Sequence, residues 1–399
     1  MLIKYNLVKI LIVHNDYGKY SGEEAVVDRM AAMLRAHGHE VAFFRLTSAG
    51  RRDSLWGRVA GFACGLYSPA GVHGLRRALH RERPDVVNVH NLYPFISPAA
   101  LFECRRAGVP VVMTVHNFRL LCPTGLFMRG GRPCELCLAR GNEWPCVCHN
   151  CEHALLKSVG YAARNAVARL TGAYRKSVTA YACITDFQRR RLLSGGFDAG
   201  RLFVIPNSMD APAAFVPTVG GYVAYVGRLS EEKGYDLLVD VARRHPEIEF
   251  RLAGALRDGC EENVPRNVRL LGHLSKDDLG AFLRDARFVA LPSRCYEGFP
   301  MTILEAAAYG KPVVGPDHGG FTEIIGHGDD AIGRLFRPGD VSDLEEKIIE
   351  LWNDPASTMR LGQKAFEKLR VKYSTEVVYR QWSDLFCKVV SAKHHNILA

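Results

Sequence analysis

The sequence predicts an α/β protein of two doubly wound domains in tandem, each a parallel sheet with helices on both faces. Three observations carry that expectation. Short, nearly unbroken apolar runs such as Lys9-Ile-Leu-Ile-Val and Val109-Pro-Val-Val-Met-Thr-Val read as strands buried on both sides. Each run leads into a turn or loop and then a stretch with helical spacing, which is the repeating unit of a doubly wound sheet. The pattern pauses over residues 211–220, rich in proline and small residues, and restarts at Gly221-Tyr-Val-Ala-Tyr-Val-Gly. A chain of 399 residues suits two domains of ordinary size.

Composition narrows the function classes. At 48% hydrophobic and 24% charged, the chain is an ordinary globular one. No apolar run reaches the ~20 residues needed to span a bilayer. Met1 to Val13 reads as a first strand and not as a secretory leader, so a cytoplasmic location is expected. The net charge of +10 is uneven: residues 1–200 hold 27 Lys and Arg against 14 Asp and Glu, a surplus of +13, and the remainder carries −3. A basic first half suits anionic lipid head groups at the inner membrane face, a phosphate-bearing acceptor or nucleic acid. A solvated arginine-rich surface has the same composition.

Taken in order, the first strand meets Asp16-Tyr-Gly-Lys-Tyr-Ser-Gly-Glu-Glu, where Gly18 and Gly22 would let a ligand approach the backbone, and then a helix to about Ala36. Residues 54–79 are mildly apolar, with Trp56, Phe62, Leu66 and Tyr67 ahead of Arg76 and Arg77. They read as a buried helix or as one that touches a membrane interface. Pro84-Asp-Val-Val-Asn-Val-His-Asn and Val111-Val-Met-Thr-Val-His-Asn are strands that both end in His-Asn, placing His90 and His116 at the carboxyl edge of the sheet where such folds bind ligands. Residues 119–153 break the rhythm and read as an insertion holding Cys122, Cys134, Cys137, Cys146, Cys148 and Cys151, half of the chain's twelve cysteines. Cys134-x2-Cys137 and Cys148-x2-Cys151 have the spacing of a tetrahedral zinc site, which four thiolates would make structural and closed to catalysis. Reduced structural thiols and a redox pair are the other readings.

The second half restarts with Gly227-Arg-Leu-Ser-Glu-Glu-Lys-Gly234 after a strand, a turn from which Arg228 and Lys233 could reach a diphosphate. Further on, Phe288-Val-Ala-Leu-Pro reads as a strand, Ser293–Pro300 as a turn and Met301–Tyr309 as a helix ended by Gly310. Free N–H groups at such a helix start suit phosphate. Glu297 in the turn and Glu305 one turn inside the helix would repel phosphate unless they bind something else on the ligand, and sugar or ribose hydroxyls are the natural candidates. The last helical stretch carries Tyr379, Trp382, Leu385 and Phe386 at helical spacing, an aromatic stripe read as packing.

Glu297-x7-Glu305 set in Glu-Gly-Phe-Pro…Glu-Ala-x-Ala-x-Gly-x-Pro-Val-Val resembles the donor-site signature of retaining glycosyltransferases of family 4, which have the GT-B fold. Gly227-Arg228-x4-Lys233-Gly234 is similar to the same family's diphosphate-binding string. Pro206-Asn-Ser-Met-Asp210 resembles its hinge, with Ser208 in place of glycine, and Ser21 replaces the usual first glycine before Gly22. The resemblance implies two Rossmann-like domains facing across a cleft: residues 1–207 for the acceptor, 208–373 for the nucleotide sugar, and 374–399 packing back on the first. It implies catalytic or donor contacts from His116, Glu297, Arg228 and Lys233, with Gly22, Gly227, Gly298, Phe299 and Glu305 lining the donor, Glu305 on the ribose. A subset of the family with a cysteine-rich segment implies zinc on Cys134, Cys137 and Cys151, with Cys122 or Cys148 as fourth ligand, and no catalytic metal. The expected reaction moves a sugar from a UDP- or GDP-sugar to a glycan or lipid-linked acceptor with retention, in cell-surface polysaccharide or glycolipid synthesis. The same architecture serves sugar-nucleotide epimerases and phosphorylases. A zinc-bearing nucleic-acid-binding module is the reading from another class, and the absence of aromatics interleaved with the basic residues speaks against it.

Overall fold

The computed structural model of the protein describes residues 7–17, 21–50, 55–257 and 263–397. Gly18 and Trp56 therefore stand apart: the first lies outside the described residues, and of the second only its place in a helix is described. The chain divides into two compact units. Met1–Gly125, Leu136–Ile205 and Val378–Ala399 form one; Leu126–Glu135 and Pro206–Val377 form the other.

The first unit is built on a six-stranded parallel sheet of β1 (Lys9–Asp16), β2 (Glu40–Thr47), β3 (Val86–Val89), β4 (Val111–Val115), β5 (Ala180–Cys183) and β6 (Leu202–Val204). Their spatial order is β2-β1-β3-β4-β5-β6, so the winding reverses between β1 and β3. The central strands are buried along their length, which is why they read as unbroken apolar runs. Helix α1 (Gly22–Ala36) opens with a capping box: Ser21 accepts from the Glu24 amide, and the Glu24 carboxylate accepts from the Ser21 amide. Such a cap stabilises a helix start by about 1 kcal/mol.

The apolar stretch after β2 is two helices and not one. α2 (Leu55–Leu66) stops before Ser68, which caps α3 (Pro69–Glu82) by accepting from the Gly71 amide. A serine cap followed by proline at the first helical position restarts the chain in a new direction. Likewise α4 (Leu155–Thr171) ends at Gly172, held at φ +70, and a separate short helix runs from Ala173 to Ser177.

One face of this sheet packs Leu11, Val13, Val87, Val89 and Val115 against Leu75, Leu79 and Leu101. The other packs Ile10, Ile12 and Ala180 against Val27, Met30 and Leu34 of α1 and against the C-terminal helix Thr375–Ile397. From that helix Val378, Tyr379, Trp382, Leu385, Phe386 and Val389 are buried, so the aromatic stripe is core. Tyr379 also stacks on His37 at 3.5 Å, and its hydroxyl lies 3.1 Å from His39 Nε2.

The second unit holds another six-stranded parallel sheet: β7 (Val223–Val226), β8 (Phe250–Ala253), β9 (Val268–Gly272), β10 (Phe288–Ala290), β11 (Val313–Pro316) and β12 (Gly333–Phe336). The order is β9-β8-β7-β10-β11-β12, with the reversal between β7 and β10. Helix α5 (Tyr235–Arg244) follows β7, and α6 (Met301–Ala308) follows β10. The segment with Cys134 departs from the sequence reading: Met128–Arg129 and Arg132–Pro133 form a two-stranded antiparallel hairpin that belongs to this second unit.

Candidate active site

In an open α/β sheet the strands on either side of the winding reversal leave a crevice at their carboxyl ends. In the second unit those strands are β7 and β10, and the two sequence strings singled out for phosphate and sugar follow them. Gly227 and Arg228 leave β7, and a short 3-10 turn, Glu231–Lys233, carries the chain to α5. Gly234 bridges the two at φ +68, where a Cβ would overlap the Pro292 carbonyl oxygen of the β10 loop. Glycine is demanded there by both conformation and space.

Main-chain bonds join the two loops. The Glu232 carbonyl accepts from the amides of Arg294 (3.0 Å) and Cys295 (3.4 Å). Arg294 grips Asp236 of α5 with two parallel bonds of 2.5 Å and donates to the Glu231 carbonyl at 2.9 Å. This two-pronged geometry fixes the β10 loop on α5. The result brings Lys233 Nζ onto the Glu297 carboxylate, which also accepts from Ser293 Oγ at 3.3 Å. Burial disfavours the Lys233 charge, but the Glu297 carboxylate and the neighbouring Cys295 outweigh it and hold its pKa above the ordinary 10.5. Arg228 is half exposed and touches Glu232 at 3.2 Å.

Gly320 donates to the Glu297 carbonyl at 2.9 Å, fixing the backbone at the turn. Gly298 is buried there, and Phe299 is buried with its ring edge on Tyr373, 5.6 Å between centroids. Glu305 is the fifth residue of α6 and is half buried. Seven of the sequence-predicted residues, Gly227, Arg228, Lys233, Glu297, Gly298, Phe299 and Glu305, thus gather on two loops and one helix of a single unit. Each of the two cations meets a carboxylate, Arg228 that of Glu232 and Lys233 that of Glu297.

In the first unit the reversal lies between β1 and β3. Three histidines stand at neighbouring strand ends: His14 on β1, His90 after β3 and His116 after β4. His90 Nδ1 lies 2.7 Å from His116 Nε2 with the rings stacked at 5.0 Å, and His14 meets His90 edge-on at 6.3 Å. Burial pushes His14 and His116 down to about 4 and His90 well below its ordinary value, so all three are neutral at pH 7. A bond between two neutral imidazoles needs one N–H and one bare nitrogen, so the tautomer of His90 sets that of His116. Gly22 is the first residue of α1, and a Cβ there would meet nothing within 4 Å, so packing does not require glycine at this position. Sequence reasoning missed His14, although His14-Asn15 is a third copy of the His-Asn strand ending found at His90 and His116.

Cys134 follows the hairpin, and Cys137 lies in the short helix Leu136–Arg140. Cys148 is exposed, whereas Cys122 and Cys146 are buried. The Cys146 thiol is pushed up by its hydrogen bond with Cys151 first, then by burial and by Cys137 and Cys122 nearby. None of these six cysteines is in a disulfide. Among the described residues no three of them bring their sulfurs within 4.8 Å of one another.

Comparison with known proteins bears on this geometry. The Glycosyltransferase Family 4 model matches residues 20–211, and the model for glycosyl transferases group 1 matches residues 215–368. HepE of Anabaena, solved with UDP, superposes with a TM-score of 0.66 over 95% of this chain and 100% of its own at 18% identity. The chain has the GT-B fold of glycosyltransferases. Sucrose-phosphate synthase from Thermosynechococcus elongatus shares it, with a TM-score of 0.69 over 96% of this chain and 99% of its own at 16% identity. Among curated sequences, an uncharacterized glycosyltransferase of Methanocaldococcus jannaschii is 33% identical over 46% of this chain and 55% of its own length. The poly(ribitol-phosphate) alpha-N-acetylglucosaminyltransferase of Staphylococcus aureus is 29% identical over 54% of this chain and 47% of its own. The chain spans about half the length of these two relatives.

Proposed function

We propose that this GT-B protein transfers a sugar from a nucleoside diphosphate sugar to a glycan or lipid-linked acceptor with retention of configuration. The observation that carries the reading is the assembly of Lys233, Arg228 and Glu297 at the reversal of the second sheet. Charge grows on the diphosphate as the sugar leaves, so Arg228 and Lys233 act on the transition state more than on the bound donor. Glu297 takes sugar hydroxyls once a phosphate replaces it on Lys233, and Glu305 takes the ribose. His116, with its tautomer set by His90, offers a neutral ring nitrogen to the sugar. UDP as the nucleotide is supported by the UDP bound in the structural relative, and a polymeric acceptor by the ribitol-phosphate relative.

The experiment is incubation with labelled UDP- and GDP-sugars, with and without glycan acceptors, reading nucleoside diphosphate release and the labelled product. Isomerised sugar nucleotide formed without acceptor would replace this reading by an epimerase.

Two further parts of the proposal concern the first unit. A structural zinc in the cysteine-rich segment draws on Cys134, Cys137 and Cys151 with Cys122 or Cys148 as the fourth ligand, and the mutual influence of the Cys146, Cys151, Cys137 and Cys122 thiols supports metal in this segment. Peripheral contact with an anionic membrane on the cytoplasmic face is supported by apolar side chains standing out from basic surroundings: Leu156 of α4 is 85% exposed and Leu170 is 73% exposed. None of the described helices is long and apolar enough to cross a membrane.

A further inference from the structure

The buried end of β1 contains polar atoms without partners. His14 is wholly enclosed, yet among the described residues neither ring nitrogen has a hydrogen-bond partner. Asp16 Oδ1 and Glu23 Oε1 are enclosed beside it, likewise with no partner among the described residues. His14 Nε2 lies 3.6 Å from Asp16 Oδ1, and Nδ1 lies 3.9 Å from Glu23 Oε1, both beyond hydrogen-bonding distance. Enclosed polar groups are nearly always satisfied, so a concentration of orphans on one side chain's neighbours points to something that sits among them.

Ligand atoms of His14, Asp16 and Glu24 all lie within 4.8 Å of one another, the one such group of His, Cys, Asp or Glu among the described residues. A cation bound at roughly 2.1 Å from each ligand holds ligand atoms about 3 to 3.5 Å apart, and the 3.6 Å between His14 and Asp16 is already close to that. Glu24 uses one carboxylate oxygen, Oε2, for the Ser21 amide and keeps the other for a ligand role.

We propose that His14, Asp16 and Glu24 bind one divalent first-row transition ion that clamps the end of β1 to the first turn of α1. One imidazole with two carboxylates suits Mn2+ or Zn2+ better than Mg2+ or Ca2+, which take all-oxygen sets. Glu23 stands on the other side of the ring, its Oε1 3.9 Å from the remaining ring nitrogen of His14 and its Oε2 accepting from the Tyr17 hydroxyl at 3.0 Å. The ion is structural: it sets where α1 begins, and the reaction proposed above does not need it.

The test is Mn2+ titration of metal-stripped, nucleotide-free, full-length protein followed by electron paramagnetic resonance. Manganese is the probe because thiolates bind it poorly, which keeps the cysteine-rich segment out of the measurement. The expected result is one tightly bound Mn2+ per chain with nitrogen modulation from a single imidazole in the pulsed spectrum. Asp16→Asn, at a partly exposed position, should weaken binding at least tenfold while leaving the circular dichroism spectrum unchanged. His14→Gln should remove the nitrogen signal. Absence of stoichiometric binding, which would leave the orphaned atoms to ordered water, overturns the proposal, and so does undiminished affinity in Asp16→Asn.

Discussion

Lys233 and Glu297 stand 64 residues apart in the sequence and share an ion pair at the point where the second sheet reverses its winding. Each belongs to a loop after a different strand, and the neighbouring bonds from Arg294 to Asp236 hold the two loops together independently. The frame around the pair therefore does not depend on the pair staying closed.

Lys233→Ala should lower kcat by 100-fold or more, the usual loss when one group on the developing charge is removed. Circular dichroism should stay unchanged. Glu297→Gln should leave nucleotide binding intact, or tighten it by freeing Lys233, while turnover falls. Wild-type turnover in Lys233→Ala would remove this residue from the reaction.

Gly234→Ala tests the loop geometry. The added methyl meets the Pro292 carbonyl and the backbone is held at φ +68. The strain should cost about 1–3 kcal/mol and lower the affinity for nucleotide, read by calorimetry. Unchanged melting temperature and affinity would show that the β7 and β10 loops do not need this close approach.

Acid should destabilise the protein through its buried histidines. His116 titrates near 4 when folded and near 6.5 when unfolded. Between those values the unfolded chain binds more protons, so stability is full above about 6.5 and declines as pH falls toward 4. The melting temperature should drop on going from pH 7 to 4.5, and His116→Gln should flatten that dependence. A profile identical to wild type would place His116 in solvent.

Zinc in the cysteine-rich segment is checked by elemental analysis. In the Asp16→Asn background, which empties the site proposed at His14, one equivalent of zinc is expected, falling below a tenth when Cys137→Ser or Cys151→Ser is added. Less than stoichiometric zinc in that background ends the idea.

Trp382→Ala should destabilise the first unit by about 3–5 kcal/mol, the usual loss for a large aromatic removed from a core. Chemical denaturation followed by circular dichroism reads it.

Much of the fold was legible because buried parallel strands announce themselves as apolar runs and each ends at a turn. The same locality placed Arg228 and Lys233 after one strand and Glu297 and Glu305 after another. What the sequence did not show depends on distant pieces meeting. The Lys233–Glu297 contact needs β7 beside β10, which strand order alone decides. The hairpin of Met128–Arg129 and Arg132–Pro133 ahead of Cys134 pairs two stretches too short to show a strand pattern. His14 was passed over because one histidine at a strand end is unremarkable until its unbonded ring is seen against Asp16 and Glu23.

The C-terminal helix has a consequence for biogenesis. Domains usually fold in the order the ribosome releases them, but here the sheet of the first unit is covered by residues 378–389, which are made after the whole of the second unit. Until then that sheet keeps an apolar face uncovered, so chaperone demand should concentrate on the first unit. A stop codon placed just after residue 377 should damage that sheet although every one of its strands has been made.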